Sequence, residues 1–314
     1  MRFPFALAPE REFDVAGFGT NAVDYLIRVP HYPEFNSKVE LVNYVQAAGG
    51  EVATTMAGLS RLGLRTAYAG KFGGDAAGDF GMRSLRDEGV DIAYSAVVAD
   101  ARTQIAFIVI DIGTGERTVI WQRDERLAFT ADEAPIELVT RSSILHLTPH
   151  DVAACLRLAN EARRVGTIVS IDVDNVFPGI EELLPLVDLL ITSAEFPQRL
   201  LGLDDHRRAL AEMRSRYGCG VAGVTLGSKG SLLLCGETYI QTPGFAVPGG
   251  CQDTTGAGDS FRVGLLYGLA RGWSVEDAAR TANAVAALKC RAVGARTSLP
   301  TADELDRFLS GERS

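Results

Sequence analysis

SSILHLTPHDVAACLRLANEARRVGTIVSIDV, residues 142–173, opens with an apolar run, turns at a proline, passes through a helical stretch and resumes as a second apolar run. Short runs rich in Ile, Leu and Val are the mark of strands buried on both faces. Strand, helix and strand in that order predict a parallel βαβ unit.

The same rhythm continues toward the C-terminus. A helix is predicted near IEELLPL, a strand at VDLLITS, a helical stretch to about Tyr217, a strand at AGVTLG and a hairpin at SLLLCGETYIQT. Such alternation puts a ligand site at the carboxyl ends of the strands. Toward the N-terminus FDVAGFG (13–19) reads as a buried strand, and VDYLIRV and KVELVNYV as two half-buried antiparallel strands around the turn-like PHYPEFN. A helix from Ala53 to Leu62 closes at Gly63, TAYAGKFG reads as a strand, and DFGMRSLRDEG as a helix. QIAFIVIDIGTGERTVIW reads as another antiparallel pair around a GTGE turn. The expectation is one large α/β unit over residues 1–314, with extra antiparallel strands from about 22–47 and 100–123. No low-complexity linker or internal repeat divides it.

At 314 residues, 46% hydrophobic and 23% charged, the chain has an ordinary globular balance. Its net charge of −9 gives no global attraction for nucleic acid or an anionic membrane. The five cysteines are odd in number, widely spaced and without a CxxC pair, which argues for reduced thiols rather than disulfides or a zinc knuckle. MRFPFALAPERE lacks the apolar core of a signal peptide, and no run reaches the length of a membrane span. A cytoplasmic protein is expected.

Two glycine-rich stretches compete as phosphate sites. GFGTNA (17–22) imitates a dinucleotide fingerprint, but the residues after it alternate and then meet prolines, so no helix N-terminus would receive a pyrophosphate. DTTGAGDS (253–260) instead leads into an apolar stretch with Phe261, Leu265 and Leu269 on one helical face. Gly256, Ala257 and Gly258 let backbone N–H groups approach an anion closely. Asp259 is then either a carboxylate placed favourably at a helix N-terminus or a general base beside an anion hole. His146 and His150 have the spacing of two zinc ligands on a helix, yet they straddle a strand end with Pro149 between them, which argues against a metal pair.

DTTGAGDSF followed by a long apolar helix resembles the signature of the ribokinase-like (PfkB-type) family of carbohydrate and nucleoside kinases. GFGTNAVD, AAGGEVATTMAGLSRLG, YAGKFGGDAAGDFGMRSLRDEGVD, GERT, VTLGSKGS and ANAVAALKC extend the match in order over nearly the whole chain. The resemblance implies a three-layer α/β/α sandwich with a mostly parallel central sheet and a small antiparallel β lid. It also implies transfer of the ATP γ-phosphoryl group to an alcohol. Asp259 matches the catalytic base, and the Gly256, Ala257 and Gly258 amides match the anion hole. Asp24, Gly49, Gly50 and Thr54 match the substrate side, with Gln104 reaching over it.

By the same resemblance Thr225, Gly227 and Lys229 surround the nucleotide phosphates and sugar, and Asn283 borders the adenine. A solvated turn is the other reading of Lys229. Asp253 and Thr255 match positions that surround a monovalent cation, usually potassium, in many members; for Asp253 a turn or capping role is the alternative. Magnesium is implied as the partner of ATP. Three departures stand out. Thr54 replaces the asparagine of GGxxxN, TSAEF blurs the NxxE stretch around Ser193 and Glu195, and Val176 replaces an arginine that some kinases of anionic sugars carry. Glu195 is therefore either a magnesium-water ligand or an ordinary helix-start glutamate. Arg102, Phe107 and Trp121 are lid candidates, although such residues more often pack a sheet against its partner. An apolar lid face predicts a homodimer. The acceptor is a sugar or, alternatively, a nucleoside, and the blurred motifs leave a non-catalytic metabolite-binding protein open.

Overall fold

The computed structural model describes residues 1–114 and 117–311. Eight strands form its central sheet, in spatial order Thr238–Thr242, Ser231–Cys235, Val221–Thr225, Leu189–Thr192, Ile168–Val173, Ser142–Leu147, Phe13–Phe18 and Thr66–Ala69. From Val221–Thr225 onward all neighbours run parallel, and only the hairpin at the other edge is antiparallel. Side chains alternate along these strands and are buried on both sides. Ile144, Leu189 and Ile191 join Val52, Met56, Phe261, Leu265 and Val285 in one core. Leu145, Val169 and Leu190 join Leu138, Leu158 and Leu210 in the other. Helices on both faces of a mostly parallel sheet make the expected α/β/α sandwich.

A second sheet of four strands has the order Asn43–Gly49, Ala22–Val29, Ile105–Asp111 and Arg117–Gln122. Its outer pairs are antiparallel, as expected, while its central pair is parallel. Leu26, Ala106, Ile108 and Ile110 form a small core on one face.

Several boundaries differ from the sequence reading. The strand expected at KVELVNYV is Asn43–Gly49, because its partner ends at Val29 opposite this stretch and leaves little backbone to pair with earlier residues. TAYAGKFG splits into Thr66–Ala69 in the main sheet and Lys71–Gly73, which pairs with Ala96–Val98. The first helix, Glu51–Arg61, begins two residues earlier than expected, since Gly50 takes φ +88° and turns the chain into it. The helix after the DTTGAGDS turn spans Ala257–Ala270. Of the GTGE turn and the GERT stretch, Gly115 and Glu116 lie outside the described residues. No helix among the described residues is long and apolar enough to cross a membrane.

Candidate active site

The parallel strands end at Phe18, Leu147, Val173, Thr192 and Thr225 along one edge of the sheet. Buried polar atoms without a hydrogen-bond partner collect at or near this edge: His146 Nε2, Thr148 Oγ1, Ser193 Oγ and Arg262 Nε. Such atoms are costly unless a ligand or water completes them.

Helix Ala257–Ala270 points its N-terminus into this edge. Gly256 is its N-cap at φ +77°, and a β-carbon there would stand 2.8 Å from the Ala295 side chain. The Ala257 amide, expected in the anion hole, donates 3.1 Å to the Thr254 carbonyl and closes the turn. The N–H groups of Gly256, Gly258 and Asp259 have no partner among the described residues. They are the free donors of this helix end.

Asp259 sits in the first turn, half-buried. Burial and the neighbouring Asp172 push its pKa up to about 7, against the pull of Arg262 and Arg296. Arg262, one turn on, is itself buried. It pairs with Asp172 at 2.6 Å and donates to the carbonyls of Gly258 and Ile191, pinning the helix start over two strand ends. Glu51 borders the same recess and is pushed well up by burial and by Asp172, Asp259 and Asp174, although 37% of its side chain remains exposed.

Asp24 reaches the site from the small sheet. It is buried against Gly49, and burial raises its pKa to about 6, opposed by Arg296 and reinforced by Asp253. Arg296 is a buried guanidinium. It donates 2.5 Å to the Gly49 carbonyl, 3.3 Å to Thr54 Oγ1 and 3.2 Å to Ser84 Oγ. Asp24, Gly49, Gly50, Thr54 and Asp259 are thus brought together around one arginine that sequence reading had passed over. The signal available was an arginine in the GAR turn, too short a motif to read alone.

Model matching places residues 15–302 in the family described as pfkB family carbohydrate kinase. The chain belongs to this family. A nucleoside kinase of Methanothermobacter thermautotrophicus is 30% identical over 311 residues, covering 95% of this chain and 96% of that one. A 2-dehydro-3-deoxygluconokinase of Bacillus subtilis is 28% identical, covering 90% and 92%. Among solved structures, a ribokinase of Arabidopsis thaliana complexed with ribose and ATP superposes with a TM-score of 0.82 at 25% identity, covering 95% of this chain and 98% of that one. The chain is accordingly a phosphotransferase with an alcohol acceptor, of the sugar and nucleoside kinases.

The remaining expected residues of the pfkB kinase fall at three places. Thr225 closes its strand, half-buried, with Oγ1 3.5 Å from the Thr192 carbonyl; Gly227 and Lys229 form the exposed turn after it. Asn283 is buried, and both its N–H donors are taken, by Ser231 Oγ at 3.0 Å and the Ala279 carbonyl at 2.9 Å. It therefore braces the helix against the sheet and offers no free N–H to a base. Ser193 and Glu195 follow Thr192; Glu195 begins the helix Phe196–Leu201 without capping it. Among the described residues no three His, Cys, Asp or Glu side chains gather as a metal cage.

On the small sheet Asp24, Ala106 and Trp121 lie in register and so share a face, as do Tyr25, Phe107 and Ile120 on the opposite one. Trp121, 60% exposed, thus overlooks the site side. Phe107 stacks on Tyr25 with ring centroids 5.3 Å apart and lies on the face away from Asp24, so of its two readings the one that reaches over a substrate is not the one seen. Gln104 accepts from the Val23 N–H, and its buried Oε1 is unpartnered beside Lys71 and Arg123 in a small cavity. Arg102 donates its backbone N–H to Asp124. Arg117 hydrogen-bonds Thr254 Oγ1, joining the small sheet to the DTTGAGDS turn.

Proposed function

We propose that this chain phosphorylates a hydroxyl of a small sugar or sugar-like acceptor, with Asp259 as the general base. The observation that carries the reading is the pairing of a carboxylate whose pKa is raised to about 7 with free N–H groups on the same helix turn. A base tuned near neutrality is suited to take a proton from an alcohol. The acceptor oxygen then attacks the γ-phosphorus of ATP, ADP departs, and the charge moving onto the phosphoryl oxygens meets the Gly256 and Gly258 amides. Asp24, with the Gly49 and Gly50 turn and Thr54, orients the acceptor hydroxyls, and Gln104 lies at the margin. Thr225, Gly227 and Lys229 flank the nucleotide phosphates and sugar, while Asn283 fixes the wall behind them.

Magnesium fits a water-mediated place near Ser193, whose buried Oγ is unpartnered, and Glu195, whose carboxylate caps no amide. When bound with ATP it neutralises the triphosphate. The small sheet acts as a lid on a single working domain, and its outward face of Tyr44, Phe107 and Ile120, all exposed, is the interface of a homodimer. Ile120→Lys should then yield a monomer in sedimentation; an unchanged dimer would remove this interface. Free thiols at all five cysteines suit a reducing, ATP-containing compartment.

A nucleoside is the second reading. It is favoured by the nucleoside kinase 30% identical over nearly the whole chain and by Trp121, an exposed ring on Asp24's face on which a base can stack. The test is product formation from ATP across sugars, sugar acids, polyols and nucleosides. Turnover of nucleosides alone replaces the sugar reading, and no turnover of any acceptor defeats the enzyme assignment to this site.

A further inference from the structure

The helix Val275–Lys289 ends in a lysine whose side chain has no solvent exposure. Lysine is almost never buried in this way without a partner. Its Nζ donates 2.8 Å to the Asp253 carbonyl and lies 3.6 Å from Asp253 Oδ2. The rest of the Asp253 carboxylate is also taken. Oδ1 accepts from the N–H and Oγ1 of Thr255 at 2.8 and 2.7 Å, and Oδ2 accepts from the Gly294 N–H at 2.9 Å. Gln252 donates to the Cys290 carbonyl at 2.8 Å beside it. One ion pair thus ties the turn that leads into Gly256 to the turn that leads into Arg296.

A free monovalent cation at this position needs oxygen ligands that are not already turned onto another cation. Asp253 presents its carbonyl and its carboxylate to an ammonium already in place. A second cation there would meet a like charge at contact distance in a poorly screened interior. The donor set expected from the sequence, Asp253 and Thr255, therefore does not fit a potassium ion: Lys289 already supplies the positive charge against both the carbonyl and the carboxylate of Asp253.

We propose that Lys289 is the built-in cation of this enzyme, a positioning residue that holds the Asp253 turn and makes phosphoryl transfer independent of potassium. The proposal rests on the kinase reading above. Burial draws the Lys289 ammonium below its ordinary range, and Asp253 works against that. Burial raises Asp253, but Lys289 and the hydrogen bonds from Gly294 and Thr255 outweigh it, so the acid stays below the usual carboxylate range. The pairing thus favours the Asp253 carboxylate, and Asp253 in turn offsets part of the burial that acts against the Lys289 ammonium. Three residues after Asp253, Gly256 sets the direction of the anion-hole amides, so a shift of the ion pair is a shift of the site.

The experiment compares potassium, sodium and tetramethylammonium chlorides at equal ionic strength, reading melting temperature, MgATP affinity and turnover of the intact chain. Wild type should be the same in all three salts. Lys289→Met should lose turnover by on the order of 100-fold, as misplaced reacting groups do. Potassium, and not tetramethylammonium, should raise its melting temperature and restore part of the rate. Because methionine leaves Asp253 unpaired, Lys289→Met combined with Asp253→Asn serves as the folding control, and it should fold equally in all salts with no potassium response. A wild type stabilised or activated by potassium overturns the proposal, as does a single variant indifferent to both charge loss and salt, or a potassium response in the double variant. Turnover that requires potassium refutes the role of Lys289 alone. Absence of turnover in every salt refutes the kinase reading and leaves the melting data to judge Lys289.

Discussion

Asp24 and Gly49 touch so closely that a β-carbon at Gly49 would stand 2.2 Å from Asp24 Oδ2. Gly49 pairs with Ala22 and Asp24 with Ala47, so the two are diagonal neighbours on one face of the pairing between Ala22–Val29 and Asn43–Gly49, and Arg296 holds the Gly49 carbonyl. The absent side chain is what lets the acid into the site.

Gly49→Ala should therefore turn Asp24 aside. Overpacking of this kind costs about 1 to 3 kcal/mol of stability. If Asp24 orients the acceptor, the acceptor KM rises while MgATP affinity is kept, because the helix Ala257–Ala270 is untouched. Kinetics with each substrate varied separately check this, and an unchanged acceptor KM would detach Asp24 from substrate binding.

Asp259→Asn separates catalysis from stability. Loss of the base should lower kcat by about 10² to 10⁴-fold. The stability effect has the opposite sign. The folded pKa of Asp259 lies above its ordinary 3.8, at about 7, so folding favours the protonated form, and that advantage fades as pH rises through 7. Asparagine removes the burden of the buried charge. The variant should melt above wild type at a pH of about 8, each 1 kcal/mol being worth about 2 °C, with the difference closing near pH 4. A variant less stable than wild type at both pH values contradicts the raised pKa.

The same carboxylate predicts an acid limb in the rate. Asp259 accepts a proton only when ionised, so kcat/KM should fall about tenfold per pH unit below its pKa and level off above. Asp24, raised to about 6, adds a second, lower limb if its ionised form binds the acceptor. The residual rate of Asp259→Asn should lack the upper limb. A wild-type profile flat down to about pH 5 would mean that no such base operates.

Much of this was legible in advance because it is repetitive. Alternating apolar runs and helical stretches from Ser142 onward announce a parallel sheet whatever the loops do, and a glycine turn before a long apolar helix announces a free helix end. What escaped were charges whose partners lie far away in sequence. Arg262 and Asp172 are 90 positions apart, and Arg296 meets Gly49 from 247 away. Lys289 had a trace in the sequence: with Val275, Ala278, Ala282 and Val285 it falls on a buried helical stripe, where a lysine demands a partner. The misplaced start of the strand Asn43–Gly49 has the opposite cause. Its residues suit a strand well before the point where a partner strand exists.

The lid offers the last test, and its two inward residues act differently. Arg117 bonds Thr254 in the turn before Gly256, whereas Trp121 shares the face of Asp24 without a fixed partner in the core. If the small sheet closes over bound substrates, Arg117→Ala loosens closure itself. Water then competes with the acceptor, and ATP hydrolysis uncoupled from product should rise relative to transfer. Trp121→Ala leaves closure intact and removes a surface over the acceptor. Its KM for the acceptor should rise, most of all for a nucleoside, since loss of a stacking ring costs about 1 to 3 kcal/mol per base. Melting temperatures should barely move, because both side chains are largely outside the cores. Coupling ratios and acceptor KM values measured side by side separate the two roles. Equal effects of both variants on every acceptor would reduce the small sheet to a structural flap.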